Sequence, residues 1–296
     1  MVMKKLLLSL LLLFILLCCG CNKGSEPYDI VATTLPIYEF AVNLCEGTGL
    51  SVGQLITDNV SCLHDYTLQV DQMKMIEGAD VVLLSGLGLE DFMEDVTAVA
   101  SVTVDASYNV HVHKSSHDHH GMHSDEIEHH HDVDPHIWLS PENAIIMAEN
   151  LAYGLSKNYP QFDQLFSQNF AELKQQLEQL QSYGNSNLAN LSCRELITFH
   201  DGFSYFAESF DLTVLEAVEE ESGSEASAAA IIHLTELVNT HSLPAVFIET
   251  NGSDSCAGIV HSETGAAVYT LDMAMSGDSY FNAMYHNIDT IKEALQ

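Results

Sequence analysis

The sequence predicts an α/β fold of two lobes joined by a long helix. Three observations lead there. Strand-like and helix-like segments alternate along most of the chain, the pattern of parallel sheets built from βαβ units. Residues 79–85 form an almost continuous apolar run, as buried parallel strands do. Further on, Phe162, Phe166, Phe170, Leu173, Leu177 and Leu180 recur at helical spacing, a stripe that buries one helix face. A helix over 160–183 extends about 36 Å at 1.5 Å per residue, enough to reach from one lobe to the other.

The elements follow in order. Residues 28–34 read as a strand, 37–45 as a helix, 50–57 as a second strand and 67–77 as a helix. After the strand at 79–85 come a helix near 89–96 and a short strand at 102–105. A polar break at 107–133 interrupts the first lobe, taken as residues 28–140. Ser140-Pro141 places a cap and a first-turn proline at a helix start, opening a helical linker over 141–190. The second lobe, 191–296, alternates again. Its strands are expected at 195–199, 212–217, 245–249 and 267–271, and its helices at 202–210, 226–240, 253–261 and 278–295.

The first residues form a separate unit. Lys4 and Lys5 precede an apolar run from Leu6 to Leu17, twelve residues long, whereas a bilayer span takes about 20. A basic start, a short apolar core and small residues describe a secretory signal, residues 1–20. Gly20-Cys21 resembles the lipobox of bacterial lipoproteins, so Cys21 is the expected lipidation point and residues 21–27 its tether; an ordinary cleaved signal is the competing reading. No later segment is apolar enough to cross a membrane.

The chain carries 42 acidic and nine basic residues, a net charge of −33 with histidine neutral. Such a body repels nucleic acid and anionic lipid and concentrates cations around itself. A covalent lipid accounts for how so acidic a protein stays at a membrane. Four cysteines lie beyond Cys21 and its tether, and outside the cytoplasm they suggest disulfides. Of the three possible pairings, Cys45–Cys62 and Cys193–Cys256 each stay within one lobe.

Sixteen histidines must be sorted by position. His64, His136 and His200 lie after expected strands or at sharp transitions, where open α/β sheets build their sites. Each has an aspartate close by in sequence: Asp65, Asp134 and Asp201. A carboxylate beside an imidazole orients it and raises its basicity. Asp272 ends the strand at 267–271. Three imidazoles and a carboxylate make a four-ligand zinc site if the fold gathers them. A polar loop histidine is the plainer reading of each one alone. His233, His241, His261 and His286 fall on helices and read as surface or packing residues.

Two segments carry a family resemblance. Asp134-Pro135-His136-Ile137-Trp138-Leu139-Ser140-Pro141 and Ile197-Thr198-Phe199-His200-Asp201-Gly202-Phe203 resemble signatures of the zinc and manganese solute-binding proteins of bacterial ABC importers. His64-Asp65-Tyr66 is similar to the motif around that family's first ligand, although Val60-Ser61-Cys62-Leu63 replaces its usual Pro/Gly-rich loop. The resemblance implies Rossmann-like lobes, a rigid backbone helix and an ion in the inter-lobe cleft. It implies His64, His136, His200 and Asp272 as metal ligands, and a membrane permease as the partner. A monomer bound to the membrane by its lipid is expected, on the cell surface or in a periplasm. A third imidazole favours Zn²⁺, since hard Mn²⁺ prefers oxygen.

The break at 107–133 holds His111, His113, His117, His119, His120, His123, His129, His130 and His131 among acidic residues. That composition suits metal binding without fixing a geometry, so these nine are read as an accessory metal loop that collects ions weakly or senses their abundance, with a merely solvated insertion as the plainer reading. Other readings are a manganese or iron binder of the same fold, a zinc-dependent hydrolase or a surface adhesin. Hydrolysis needs an open coordination position and a general base, and no HExxH pairing occurs. The chain is therefore read as a binder, with no catalytic residue assigned.

Overall fold

The computed structural model describes residues 27–58, 63, 66–93, 98, 100–113, 133–218, 227–250 and 252–296. The expected leader, Cys21, Cys62, His64, Asp65 and the histidines from His117 to His131 lie outside these residues.

Two four-stranded sheets, parallel throughout, organise the two halves. The first contains β1 (Ile30–Ala32), β2 (Val52–Gln54), β3 (Val81–Leu84) and β4 (Thr103–Asp105), in the order β2-β1-β3-β4. Its crossover helices are α1 (Leu35–Leu44) and α2 (Val70–Gly78). The second contains β5 (Glu195–Thr198), β6 (Thr213–Ala217), β7 (Ala245–Glu249) and β8 (Ala267–Leu271), in the order β6-β5-β7-β8. It is accompanied by α5 (Ser204–Ser209), α6 (Ala228–His241), α7 (Ser255–Thr264) and α8 (Tyr280–Leu295). Strand order reverses beside β1 and again beside β5, and at such points a crevice opens beyond the strands' carboxyl ends.

Between the sheets run α3 (Pro141–Asn158) and α4 (Asp163–Asn187). Ser140 caps α3 by accepting the Asn143 N–H, and Pro141 occupies the first turn. Helix α4 has 25 residues, about 37 Å at the usual rise. Phe166, Leu173, Leu177 and Leu180 are fully buried along it, each contributing about 2 kcal/mol by leaving water. Toward its start, Asn169 Nδ2 donates to the carbonyls of Leu44 and Glu46 at 2.8 and 2.9 Å. Near its end, a Cβ on Gly184 would stand 2.1 Å from Phe210 Cε1, so only glycine lets the helix meet α5's loop there. One helix thus packs on both halves.

Of the helix expected near 89–96, Asp91–Met93 form a 3₁₀ turn and residues 94–96 lie outside the described residues. The Glu90 carboxylate just before it turns inward to accept from Ser85 N, Gly86 N and Thr33 Oγ1, holding the chain against the strand ends. One expectation needs correction: the Cys193–Cys256 bridge is not formed. Cys193 Sγ sits 3.6 Å from the Glu195 carbonyl, and both cysteines pack in one apolar cluster, where thiols behave as small hydrophobic groups. Cys45 is buried, and burial with the nearby Asp29 charge pushes its thiol up to about 12.

Candidate metal centre

Of the four expected ligands, the structure brings His136 and His200 together. His136 precedes the 3₁₀ turn Ile137–Leu139, and His200 follows β5. Their Nε2 atoms are 3.4 Å apart and the rings meet edge to face. Two imidazoles on a tetrahedral zinc at 2.0–2.1 Å place their nitrogens about 3.3–3.4 Å apart. The pair therefore has the spacing of ligands to one ion.

Each imidazole is held from behind. Asp134 Oδ1 lies 2.8 Å from His136 Nδ1 and accepts the His136 N–H at 2.9 Å. That contact turns Nε2 toward the cleft and supports the ring as an electron-pair donor. Asp134 Oδ2 is buried and has no hydrogen-bond partner among the described residues. A cation one ring away offsets the cost of such a buried charge. His200 Nδ1 lies 3.6 Å from Glu249 Oε2. Glu249 ends β7, which pairs with β5, so the sheet supplies a carboxylate that does not adjoin His200 in sequence. The signal that could have found it is its position at a strand's carboxyl end, next to the strand carrying His200.

The segment bearing His136 is gripped by the second half of the chain. Tyr205 Oη donates to the Asp134 carbonyl at 2.8 Å, Trp138 Nε1 donates to the Met273 carbonyl at 2.8 Å, and Tyr280 Oη donates to the Trp138 carbonyl at 2.9 Å. All four residues from His136 to Leu139 are buried. Gly202 completes the fit. A Cβ there would lie 2.5 Å from Met273 Cε, 3.0 Å from His200 Cδ2 and 3.1 Å from His136 Cγ. The backbone can therefore lie against both rings only because no side chain intervenes.

Asp272 stands just beyond β8, as expected, but is not gathered with the pair. Its Oδ1 accepts the Ala274 N–H at 2.7 Å, and Asn287 brackets its backbone N–H and carbonyl at 2.8 and 2.7 Å. Among the described residues, the one group of three candidate ligands within 4.8 Å of one another is His111, His113 and Glu208. Of the accessory histidines, only His111 and His113 fall within the described residues. His233 and His241 approach Glu216 and Glu195 on the second lobe's surface. His261 Nδ1 contacts the Ala266 carbonyl at 2.7 Å.

The fold and its neighbours agree. The Zn(II)-bound ZnuA-like domain of Streptococcus pneumoniae AdcA superposes with a TM-score of 0.74 at 24% identity, covering 91% of this chain and 99% of that domain. In sequence, the zinc-binding lipoprotein AdcA of the same species (strain R6) is 27% identical over 308 residues, 98% of this chain and 61% of AdcA. This chain thus spans about three fifths of that relative. The manganese-binding lipoprotein MntA of Bacillus subtilis is 28% identical over 301 residues, 96% of each chain. No helix among the described residues is long and apolar enough to cross a membrane. Residues 30–294 match the family described as zinc-uptake complex component A, periplasmic, and the chain belongs to this ZnuA family of metal-binding proteins.

Proposed function

We propose that the protein binds Zn²⁺ outside the cytoplasm and delivers it to the permease of an ABC-type importer. The observation that supports this most is the 3.4 Å separation of His136 Nε2 and His200 Nε2, the span of two imidazoles on one tetrahedral zinc. His64 and Asp272 are the remaining ligands in this reading, with Asp272 swinging in as the cleft adjusts around the ion. A site closed by four protein groups captures zinc and leaves no position for an activated water. Lobes at 28–140 and 191–296, a linker at 141–190, a lipid on Cys21 and a monomeric state complete the proposal. The strongly acidic surface favours the approach of a cation.

Calorimetric titration of zinc should show one tight site that His136→Ala or His200→Ala removes. Structural zinc sites gain about 10–16 kcal/mol over four ligands, so each lost ligand should weaken binding by about 70- to 900-fold. An unchanged tight site in both variants overturns the assignment. Likeness to MntA keeps manganese as a second reading, and displacement of zinc by equimolar manganese would favour it.

A further inference from the structure

Beyond the His136–His200 centre, a second set of ligands stands at the base of the histidine-rich segment. His111 Nε2 and His113 Nε2 face the same oxygen, Glu208 Oε2, at 3.4 and 2.7 Å. Glu208 belongs to α5 of the second half, whereas the two histidines follow β4 of the first. The cluster therefore bridges the lobes.

The backbone around it is fixed. His111 donates its N–H to Asn143 Oδ1 at 3.0 Å, and Asn143 Nδ2 donates back to the His111 carbonyl at 2.9 Å. His113 donates its N–H to Tyr205 Oη at 3.0 Å, and Asp134 donates its N–H to the His113 carbonyl at 3.3 Å. The two imidazoles meet edge to face at 5.2 Å, and the His113 ring packs on Tyr205 at 4.6 Å. The side chains of His111, His113 and Glu208 are 65%, 29% and 55% exposed, so solvated ions can reach them.

We propose that His111, His113 and Glu208 form a second divalent-cation site that takes Zn²⁺ and leaves one coordination position to water. Two imidazoles and a carboxylate suit zinc, and a site with three protein ligands keeps a fourth position open. Exposure makes it weaker than the buried pair. Its position at the cleft's lip makes it an entry station, where an ion already joins the two lobes before it reaches His136.

The test uses the mature chain with the seven histidines from His117 to His131 replaced by Asn, so that their zinc binding does not mask the cluster. Zinc titration by calorimetry should show two steps, one tight and one weak. Adding Glu208→Gln should weaken the second step at least about tenfold, the scale on which losing even an outer support of a ligand acts. The tight step should stay unchanged, which also reports intact folding. Adding His113→Asn should remove the weak step. A single step in the parent, or a weak step indifferent to Glu208→Gln, means a plain histidine–carboxylate ion pair and overturns the second site. Loss of the tight step alone would count against the proposed function and leave this inference standing.

Discussion

The two histidine pairs of this protein differ in what surrounds them more than in what they are. His136 is buried; its ring nitrogen rests on Asp134, and three hydrogen bonds from the other lobe grip the segment that carries it. His111 and His113 share one exposed carboxylate, and their fixed parts are backbone. A buried, oriented pair loses little freedom on taking an ion and holds it in a low-dielectric setting. An exposed pair gains less and releases faster. Tyr205 joins the two, because its hydroxyl accepts from His113 N and donates to the Asp134 carbonyl. On the proposed function and the proposed second site, the contrast divides collecting an ion from keeping it, with the same side chains.

If orientation by the buried carboxylate sets the difference, Asp134→Ala should produce the largest effect short of removing a ligand. Outer partners of metal-bound imidazoles are worth about 10–100-fold in affinity, and Asp134 should lie at the upper end because its Oδ1 holds both the ring and the backbone of His136. Zinc titration would show it, with Asp134→Asn falling between Ala and the parent, since the amide oxygen can still accept. An Ala variant with parental affinity would mean that burial alone distinguishes the two sites.

Close packing is the second candidate for the difference, and Gly202→Ala isolates it. The added Cβ would meet Met273 Cε, His200 Cδ2 and His136 Cγ at 2.5, 3.0 and 3.1 Å. The methionine end can swing away, but the rings must shift by a few tenths of an ångström. Overpacking of this kind costs about 1–3 kcal/mol, so zinc affinity at the buried site should fall about tenfold. The weak step assigned to His111, His113 and Glu208 should not change. Equal losses at both sites would show instead that the substitution disturbs the fold as a whole.

Much of this arrangement was legible from the chain, for reasons that differ by element. The expected strands at 245–249 and 267–271 coincide with β7 and β8, because apolar, β-rich runs bounded by turns leave few alternatives. The α4 stripe was readable because its period is local, and so was the support of His136 by Asp134, two residues away. Glu249 beside His200 and Glu208 beside His113 were not readable as partners. Each is brought in by strand pairing or lobe packing between distant segments, and no local spacing encodes that. Glu90 was not readable as a buried group either, since its tie to Thr33 comes from a segment 57 residues away. Cysteine count could not show that Cys193 and Cys256 serve as apolar packing.

Glu90 also supplies the smallest and most discriminating test, because it is a buried carboxylate without an imidazole to support. Burial pushes its carboxyl from 4.5 up to about 7, against the hydrogen bonds from Thr33, Gly86 and Ser85 that favour the charged form, while Asp105 adds to the rise. The folded value exceeds the unfolded one, so the fold favours the protonated acid. Its contribution is complete below about pH 4.5 and is lost as pH rises through about 7. An offset of this size corresponds to about 3 kcal/mol between the two limits, or roughly 6–12 °C in melting temperature for a chain of this length. Thermal melts of the parent should therefore lose part of their stability between pH 5 and pH 8. Glu90→Gln should flatten that slope and lower the melting temperature at pH 5, since the amide nitrogen cannot accept from Gly86 N. Zinc affinity should remain that of the parent. A weakened zinc site in this variant would place the Glu90 turn within the metal centre's support, and burial of a carboxylate near the strand ends would then count with Asp134 in keeping the ion.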